Sequence, residues 1–393
     1  MGLFKAARLT GTAGAVALLA ATLGLAAPAS AAQGNVLGAD SATAVQGSYL
    51  IVLKDSAKTA GSLTSRYGGS VTHTYKAALN GFAAQMSATQ ARQLAADPAV
   101  ESVQADQVMT IETTQTNPPS WGIDRIDQAN LPLSTSYNYT STAGNVHAYI
   151  IDTGINRTHT TFGGRAAFGF DAVTAGGTAA DCNGHGTHVA GTVGGSQYGV
   201  AKAVQLVAVR VLDCAGSGTI TGVIAGIDWV TANAIKPAVA NMSLGGGANA
   251  TLDAAVRRSI TSGVTYAIAS GNSNANACSF SPARVTEAII VNASQINDTR
   301  ASFSNFGNCT DIFAPGVNIT SSWMGSNTAT NTISGTSMAT PHVTGAAARY
   351  LSTHTTATPA QVQAALIAAS TPNKIPSPGA STPNRLLFVS PTS

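Results

Sequence analysis

Gly335-Thr336-Ser337-Met338-Ala339-Thr340-Pro341-His342 sets a serine among small residues, just before an apolar run. The run predicts a long helix over 336–351, so Ser337 falls at its N-terminus. Backbone N–H groups there lack partners inside the helix and face outward with a partial positive charge. Upstream, Gly184-His185-Gly186-Thr187-His188-Val189-Ala190-Gly191 sets a histidine at another helix entrance. Further upstream, Tyr149-Ile150-Ile151-Asp152-Thr153-Gly154 closes a strand over 146–152 in an aspartate. Around these anchors strands and helices alternate. Strands are predicted over 204–212, 238–243, 264–269, 288–293 and 311–314. Helices are predicted over 219–233, with Trp229 on the apolar face, and over 252–261. Thr358-Pro359-Ala360-Gln361 combines an N-cap, a proline at the first helical position and Gln at N3, and opens a last helix to about 369. Such alternation makes the fold α/β, a parallel sheet with helices on both faces. Sites in these sheets lie outside the carboxyl ends of the strands.

The order Asp…His…Ser is one of the known orders for a serine nucleophile, its base and the group that orients the base. A serine hydroxyl attacks only when a base takes its proton. Imidazole does this near neutral pH, and a carboxylate on its second nitrogen fixes the tautomer. Each residue also has a plainer reading: a strand-end Asp as a turn cap, a lone His as a packed core residue. Other chemistries fit worse. Asp152-Thr153-Gly154 resembles an aspartic-protease motif, but that mechanism needs a second such carboxylate and no second D-T-G occurs. Gly335 to Ala339 is not the G-x-S-x-G elbow of α/β-hydrolases. Cys182, His185 and His188 lack H-E-x-x-H spacing or a fourth ligand for zinc; His188 reads as structural.

The N-terminal third is organised differently. Lys5 and Arg8, an apolar stretch over 13–27 and Ala29-Ser30-Ala31 read as a secretory signal over 1–31. The stretch is shorter than the ~20 residues of a membrane span. Residues 32–47 are small and polar and predict a flexible lead. Over 48–111 the pattern is β-α-β-β-α-β, the split βαβ arrangement. Asn80-Gly81 reads there as a hairpin turn and Ser87-Ala88-Thr89-Gln90 as a capping box. Asn117-Pro118-Pro119-Ser120 marks the linker into the larger domain. Of 393 residues only 9% are charged, and the net charge is +3 with no basic cluster, which excludes a nucleic-acid footprint. Export makes Cys182, Cys214, Cys278 and Cys309 disulfide candidates, with three pairings open.

Together the three motifs resemble the subtilisin-like serine proteases (peptidase S8). The closest match is the proteinase K and aqualysin branch, through Trp121-Gly122-Ile123-Asp124-Arg125-Ile126-Asp127-Gln128 and Phe303-Ser304-Asn305-Phe306-Gly307. The module over 48–111 resembles the inhibitory propeptide of that family. The resemblance implies a signal over 1–31, a propeptide over 32–112 and a catalytic domain over 113–393, self-cleaved near Glu112–Thr113. It implies Ser337 as nucleophile, His185 as base, Asp152 as orienting carboxylate and Asn272 as oxyanion donor beside the Ser337 N–H. The pairs implied are Cys182–Cys214 and Cys278–Cys309.

Leu212 to Gly218, including Gly216, Ser217 and Gly218, and Ser243-Leu244-Gly245-Gly246 resemble the edge strands that pair with an extended peptide. Gly245, Gly246, Ala269 and Gly271 line the slot for a large apolar or aromatic P1 side chain. The resemblance implies structural Ca²⁺ held by Asp311 with the carbonyls of Thr286 and Ala288. It implies a second Ca²⁺ at Asp124, Asp127, Gln128, Ser134 and Ser136, where the two serines are neutral at positions that can carry a further carboxylate. The whole predicts a secreted, monomeric endopeptidase of broad specificity. It acts on proteins and peptides, is inhibited by its own propeptide, and has no catalytic cofactor, nucleic acid or membrane partner. An esterase with the same triad and a non-catalytic binding scaffold are the rival readings.

Overall fold

The computed structural model describes residues 32–41, 44–54, 60–76, 79–107 and 113–390. The expected signal and the expected cleavage junction at Glu112 lie outside the described residues. The chain divides into two compact units, Met1–Met109 and Thr110–Ser393.

The first unit has the expected split βαβ order. Strands Ala44–Leu53, Ser70–Tyr75, Gly81–Gln85 and Val100–Gln107 form one sheet, with helices Ala60–Tyr67 and Ala88–Ala95. Ile51, Leu63, Phe82, Leu94 and Val103 are its buried core. The capping box closes as expected. Gln90 N donates to Ser87 Oγ at 3.3 Å, and Ser87 N donates to Gln90 Oε1 at 2.8 Å. Two expectations are corrected. The lead over 32–47 is partly ordered: Val36–Leu37 adds a parallel strand against Val103 and Gln104, and the next strand already begins at Ala44. Asn80-Gly81 is not a two-residue turn, because Tyr75 pairs with Gly81 and Gly81 lies inside the strand. A Cβ on Gly81 would meet Ile51 O at 2.2 Å, so glycine serves close strand approach there.

The second unit is built on one large sheet. Its strands are β1 (His147–Asp152), β2 (Ala166–Asp171), β3 (Gln205–Arg210), β4 (Ala238–Met242), β5 (Thr265–Ala269), β6 (Ile289–Ser294), β7 (Ile312–Pro315), β8 (Thr371–Pro372) and β9 (Arg385–Leu386). The order is β8-β9-β7-β6-β5-β4-β1-β3-β2, parallel throughout except β8 against β9. Alternate residues of β1 go to opposite faces. Ala148 and Ile150 join the core beneath helices α1 (His185–Gly194), α4 (Thr336–Thr353) and α5 (Pro359–Ala369). Tyr149 and Ile151 join the core beneath α2 (Ile220–Asn233) and α3 (Ala250–Thr261).

Both neighbours of β1 come later in the chain and lead in opposite directions. This is a topological switch point, where a crevice opens at the carboxyl ends. Asp152 is the last residue of β1. The edge strand β2, the short helix Trp121–Ile126 and the ribbons Thr113–Thr116/Ser136–Tyr139 and Ile319–Ser322/Thr330–Ile333 were not anticipated. The helix is short, the ribbons are polar, and β2 carries Gly169 in its middle and pairs with a strand far along the chain.

Candidate active site

Asp152, wholly buried, places Oδ1 2.8 Å from His185 Nδ1. The same oxygen accepts from Thr153 N at 2.7 Å. His185 is the first residue of α1, and the loop before it is organised by Asp181. Asp181 Oδ1 accepts from Thr153 Oγ1, Asn183 N and Gly184 N, each at 2.9 Å. Its Oδ2 accepts from Thr187 N at 2.9 Å and Thr187 Oγ1 at 2.6 Å. One carboxylate therefore takes the N–H groups of Asn183, Gly184 and Thr187 around the start of α1, while Asn183 Oδ1 takes that of His185 at 3.1 Å, and it complements the helix dipole. Through Thr153, whose Oγ1 also accepts from Gly186 N at 2.9 Å, it ties the end of β1 to the histidine.

Burial alone would lower the His185 pKa. The charge and hydrogen bond of Asp152, with Asp181 behind, outweigh burial and hold it above the ordinary histidine value. His188 behaves oppositely. Burial drives its pKa down to about 4, its Nε2 lies 3.0 Å from Ile319 O, and it meets Trp323 edge-on at 6.1 Å between ring centroids. It is a neutral packing residue, as expected.

Ser337 is the second residue of α4. Pro341 sits inside that helix and cannot donate to the Ser337 carbonyl, an interior cost of roughly 3 kcal/mol in an ordinary helix. Here Ser243 Oγ donates to that carbonyl at 2.9 Å in its place. Ser337 Oγ returns a bond to Ser243 O at 3.1 Å. Ser243 Oγ is held by Asn241 Nδ2 at 2.9 Å, and Asn241 Oδ1 accepts from Thr344 Oγ1 at 2.9 Å. No hydrogen bond joins Ser337 to His185 among the described residues, where Ser337 Oγ is turned to Ser243 O.

Asn272 follows β5 on an exposed loop. Its Oδ1 accepts from Thr336 N at 2.8 Å and Thr336 Oγ1 at 2.9 Å, which leaves Nδ2 as the outward donor. Asn272 Nδ2 and Ser337 N each lie 3.5 Å from the Cβ position of Gly335, so two donors flank one small space. Asn305, in the Phe303–Gly307 segment, braces that loop. Its Nδ2 donates to Ser270 O at 2.8 Å and its Oδ1 accepts from Ser273 N and Ala275 N at 3.0 Å. Gly271 has φ +106°, and a Cβ there would meet Asn305 Nδ2 at 2.4 Å. Asp181 and Asn305 were both missed from sequence, because an Asp or Asn in a loop reads first as a turn residue.

Two clefts share the wall Ser243–Gly247 and Ser281. One is lined by Ser243–Gly247, Ala269–Ser273, Phe280, Ser281, Ala283, Thr336 and Ser337. The other runs past His185, Leu212, Gly216–Ile220, Val223, Leu244–Gly247 and Leu252. Gly216, Ser217, Gly218, Leu244, Gly245, Gly246, Ala269 and Gly271 thus line the clefts as expected. Residues 212–218 and 243–245 form no strand pairing of their own among the described residues. Asp213 Oδ1 accepts from Ala215 N at 2.9 Å and Ser217 N at 3.0 Å and folds 213–217 into a turn. Pairing on the other wall begins only at Gly246–Gly247, against Phe280–Ser281. Ile220, Val223, Leu252, Phe280 and Ala283 are cleft residues that were not anticipated. Both implied disulfides are present, Cys182–Cys214 and Cys278–Cys309. The first joins the histidine loop to the turn beside Gly216.

Residues 145–385 match the Subtilase family, and residues 31–112 match the Peptidase inhibitor I9 family. This chain belongs to the subtilase family. It is a serine peptidase of that family with an I9 domain before the catalytic one. The chain is similar to "Extracellular serine proteinase" of Thermus sp. (strain Rt41A), 50% identical over 92% of this chain and 93% of that one. It is 42% identical to "Alkaline serine protease ver112" of Corniculantispora psalliotae, over 85% of this chain and 88% of that one. The crystal structure of a cold adapted subtilisin-like serine proteinase superposes with a TM-score of 0.67 at 54% identity, over 68% of this chain and 97% of that one.

The subtilase has two places to weigh for a cation. Asp311 Oδ2 accepts from Ile290 N at 2.7 Å, and burial, against that bond and one from Gln363, pushes the Asp311 pKa up to about 7. Thr286 O, Ala288 O and Asp311 Oδ1 converge on a single atom, Gln363 Nε2, at 3.2, 3.1 and 3.4 Å. Three oxygens grouped around one amide nitrogen, one of them a half-buried carboxylate, make a donor set that suits a hard cation. The second cluster is assembled but knitted by its own bonds. Asp124 accepts from Ser134 N at 3.1 Å, Ser134 Oγ at 3.0 Å and Thr135 N at 2.9 Å. Gln128 Oε1 accepts from Ser134 N at 2.9 Å, and Ser134 Oγ lies 2.8 Å from Ser136 Oγ. Asp127 Oδ1 is buried without a partner among the described residues, and burial raises the Asp127 pKa to about 6.

Proposed function

We propose that this subtilase is a secreted endopeptidase of broad specificity, favouring large apolar or aromatic P1 residues, made as a precursor that cuts itself near Glu112–Thr113. The Asp152–His185 hydrogen bond of 2.8 Å, together with Ser337 N and Asn272 Nδ2 flanking one small space, carries the proposal. His185, neutral and with Nδ1–H donated to Asp152, takes the Ser337 proton on Nε2 as Oγ attacks the scissile carbonyl. The oxyanion accepts from Ser337 N–H and Asn272 Nδ2, which need no reorganisation as charge develops. His185 then gives its proton to the leaving amine. Water repeats the cycle on the acyl-enzyme.

Substrate binding follows from the walls. Leu244 and Gly245 make no main-chain hydrogen bond among the described residues, so their peptide groups are available to an extended chain. The residues lining the P1 cleft include no charged side chain. Asp213 caps its own turn, and Glu287 pairs with Arg257 at 3.0 Å, so neither supplies a carboxylate to a basic P1 residue. An unpaired buried cation is costly. The I9 domain acts as an intramolecular inhibitor, and the mature enzyme works as a monomer. Calcium at Asp311, Thr286 and Ala288 would neutralise the half-buried carboxylate and tie the start of β7 to the loop before β6, without a part in the chemistry. A second ion would take the free oxygen of Asp127.

The test is hydrolysis of casein by the secreted protein, with and without a serine-directed inhibitor, followed by p-nitroanilides with Phe, Leu, Ala, Arg or Glu at P1. Inhibitor-sensitive cleavage with Phe or Leu leading is expected. Highest kcat/KM for Arg would overturn the pocket assignment, and ester cleavage without peptide cleavage would overturn the activity.

A further inference from the structure

Gln363 closes the Asp311 site from the side of α5. On α5, Val362 and Leu366 face the core, one helical turn apart, and Gln363 beside them reaches back to the sheet. Its Nε2 lies 3.2 Å from Thr286 O, 3.1 Å from Ala288 O and 3.4 Å from Asp311 Oδ1. An amide nitrogen carries two protons, so three acceptors share two donors and one contact is left poor. A half-turn about the terminal torsion exchanges nitrogen for oxygen at almost the same place. Oxygens bound at about 2.4 Å around one Ca²⁺, at right angles, stand about 3.4 Å from each other. After the turn, Oε1 lies at that spacing from all three oxygens.

Resting on the calcium reading above, we propose that Gln363 is a fourth protein ligand of this site. It presents Oε1 to a bound Ca²⁺ and Nε2 to the oxygens when no ion is held. Cation binding is thereby coupled to the docking of α5, whose Val362 and Leu366 share a core with Val343, Ala347 and Leu351 of α4, the helix that carries Ser337.

The mature enzyme, blocked with a sulfonyl fluoride to stop autolysis, is titrated with CaCl₂ by calorimetry and by thermal melting in chelator. Asp311→Asn should remove one bound ion per chain. Gln363→Leu should keep that ion but weaken it about tenfold or more. Gln363→Glu should bind it more tightly than the parent and melt lower in chelator, where two carboxylates then face each other. An unchanged or tighter Kd in Gln363→Leu would mean that the amide only plugs the site, and would overturn the proposal. If Asp311→Asn loses no ion, the calcium reading itself fails. If it does lose one and the Gln363 variants do not respond, only the role of Gln363 fails.

Discussion

Asp181→Asn is the substitution that best separates the support of His185 from its chemistry. Asp181 only accepts, on both oxygens. An asparagine must turn its NH₂ either toward Thr153 Oγ1, Asn183 N and Gly184 N or toward Thr187 N and Oγ1. The second orientation is the cheaper, since the Thr187 hydroxyl can rotate to accept. One or two charge-assisted hydrogen bonds are then lost, at about 1.5–3 kcal/mol each. Part of this falls on stability and part on the placement of α1. If about 1.4–2.8 kcal/mol reaches the transition state, kcat falls roughly tenfold to a hundredfold. The pH profile carries the distinctive signature. His185 must be neutral to act, so activity rises with pH through its pKa, which Asp181 helps to hold up. Removing that charge moves the acid limb of kcat/KM to lower pH. The assay is a peptide p-nitroanilide series from pH 5 to 10, with KM expected to stay within about threefold, because Asp181 lines neither cleft described above. Thr153→Val is the companion: it breaks the bridge but keeps the charge, so the plateau should drop and the limb stay. An Asp181→Asn enzyme with a lower melting temperature and an unmoved limb would show Asp181 to be a loop staple only.

Ser337→Ala should accumulate as an uncut or poorly folded precursor; normal N-terminal processing, read by mass spectrometry, would assign the cut to another protease. Replacing Cys182 and Cys214 together by serine opens a loop of sequence separation 32, and the chain-entropy relation puts the loss at roughly 3–4 kcal/mol; calorimetry reads it, and an unchanged melting temperature counts against the bridge as a stabiliser. Lys202 is the alkaline-stability probe. Burial, with Arg349 nearby, lowers its pKa to about 7, against the carbonyls of Ser196 and Gly199 and the Tyr137 and Tyr139 rings that favour the ammonium. The unfolded chain holds more protons than the native one between pH 7 and the ordinary lysine value, so this residue makes stability rise with pH across that window. Lys202→Met should flatten the rise; an unaltered stability–pH curve means the ammonium is satisfied where it lies.

What could be read from the sequence was what is local. The Thr358 and Ser87 capping boxes, the serine at the start of α4 and the aspartate closing β1 depend on residues a few positions apart, and each stands where the spacing put it. The pairing of the cysteines was not local and came only through resemblance. Asp181, Asn305 and Gln363 were invisible for one physical reason. Each is a single polar side chain with at least one partner that the fold brings from elsewhere: Thr153 at 28 residues, Ser270 at 35, Thr286 at 77. Gly81 was misread by the same rule, since its constraint is the Ile51 carbonyl of another strand and not its own turn. In this fold the reacting groups sit at strand and helix ends, which sequence patterns mark. The groups that hold them in register sit in the loops between, where a carboxylate or amide accepts or donates on several sides at once. Substitutions at such loop residues should therefore disturb pH profiles and ion binding before they disturb the fold.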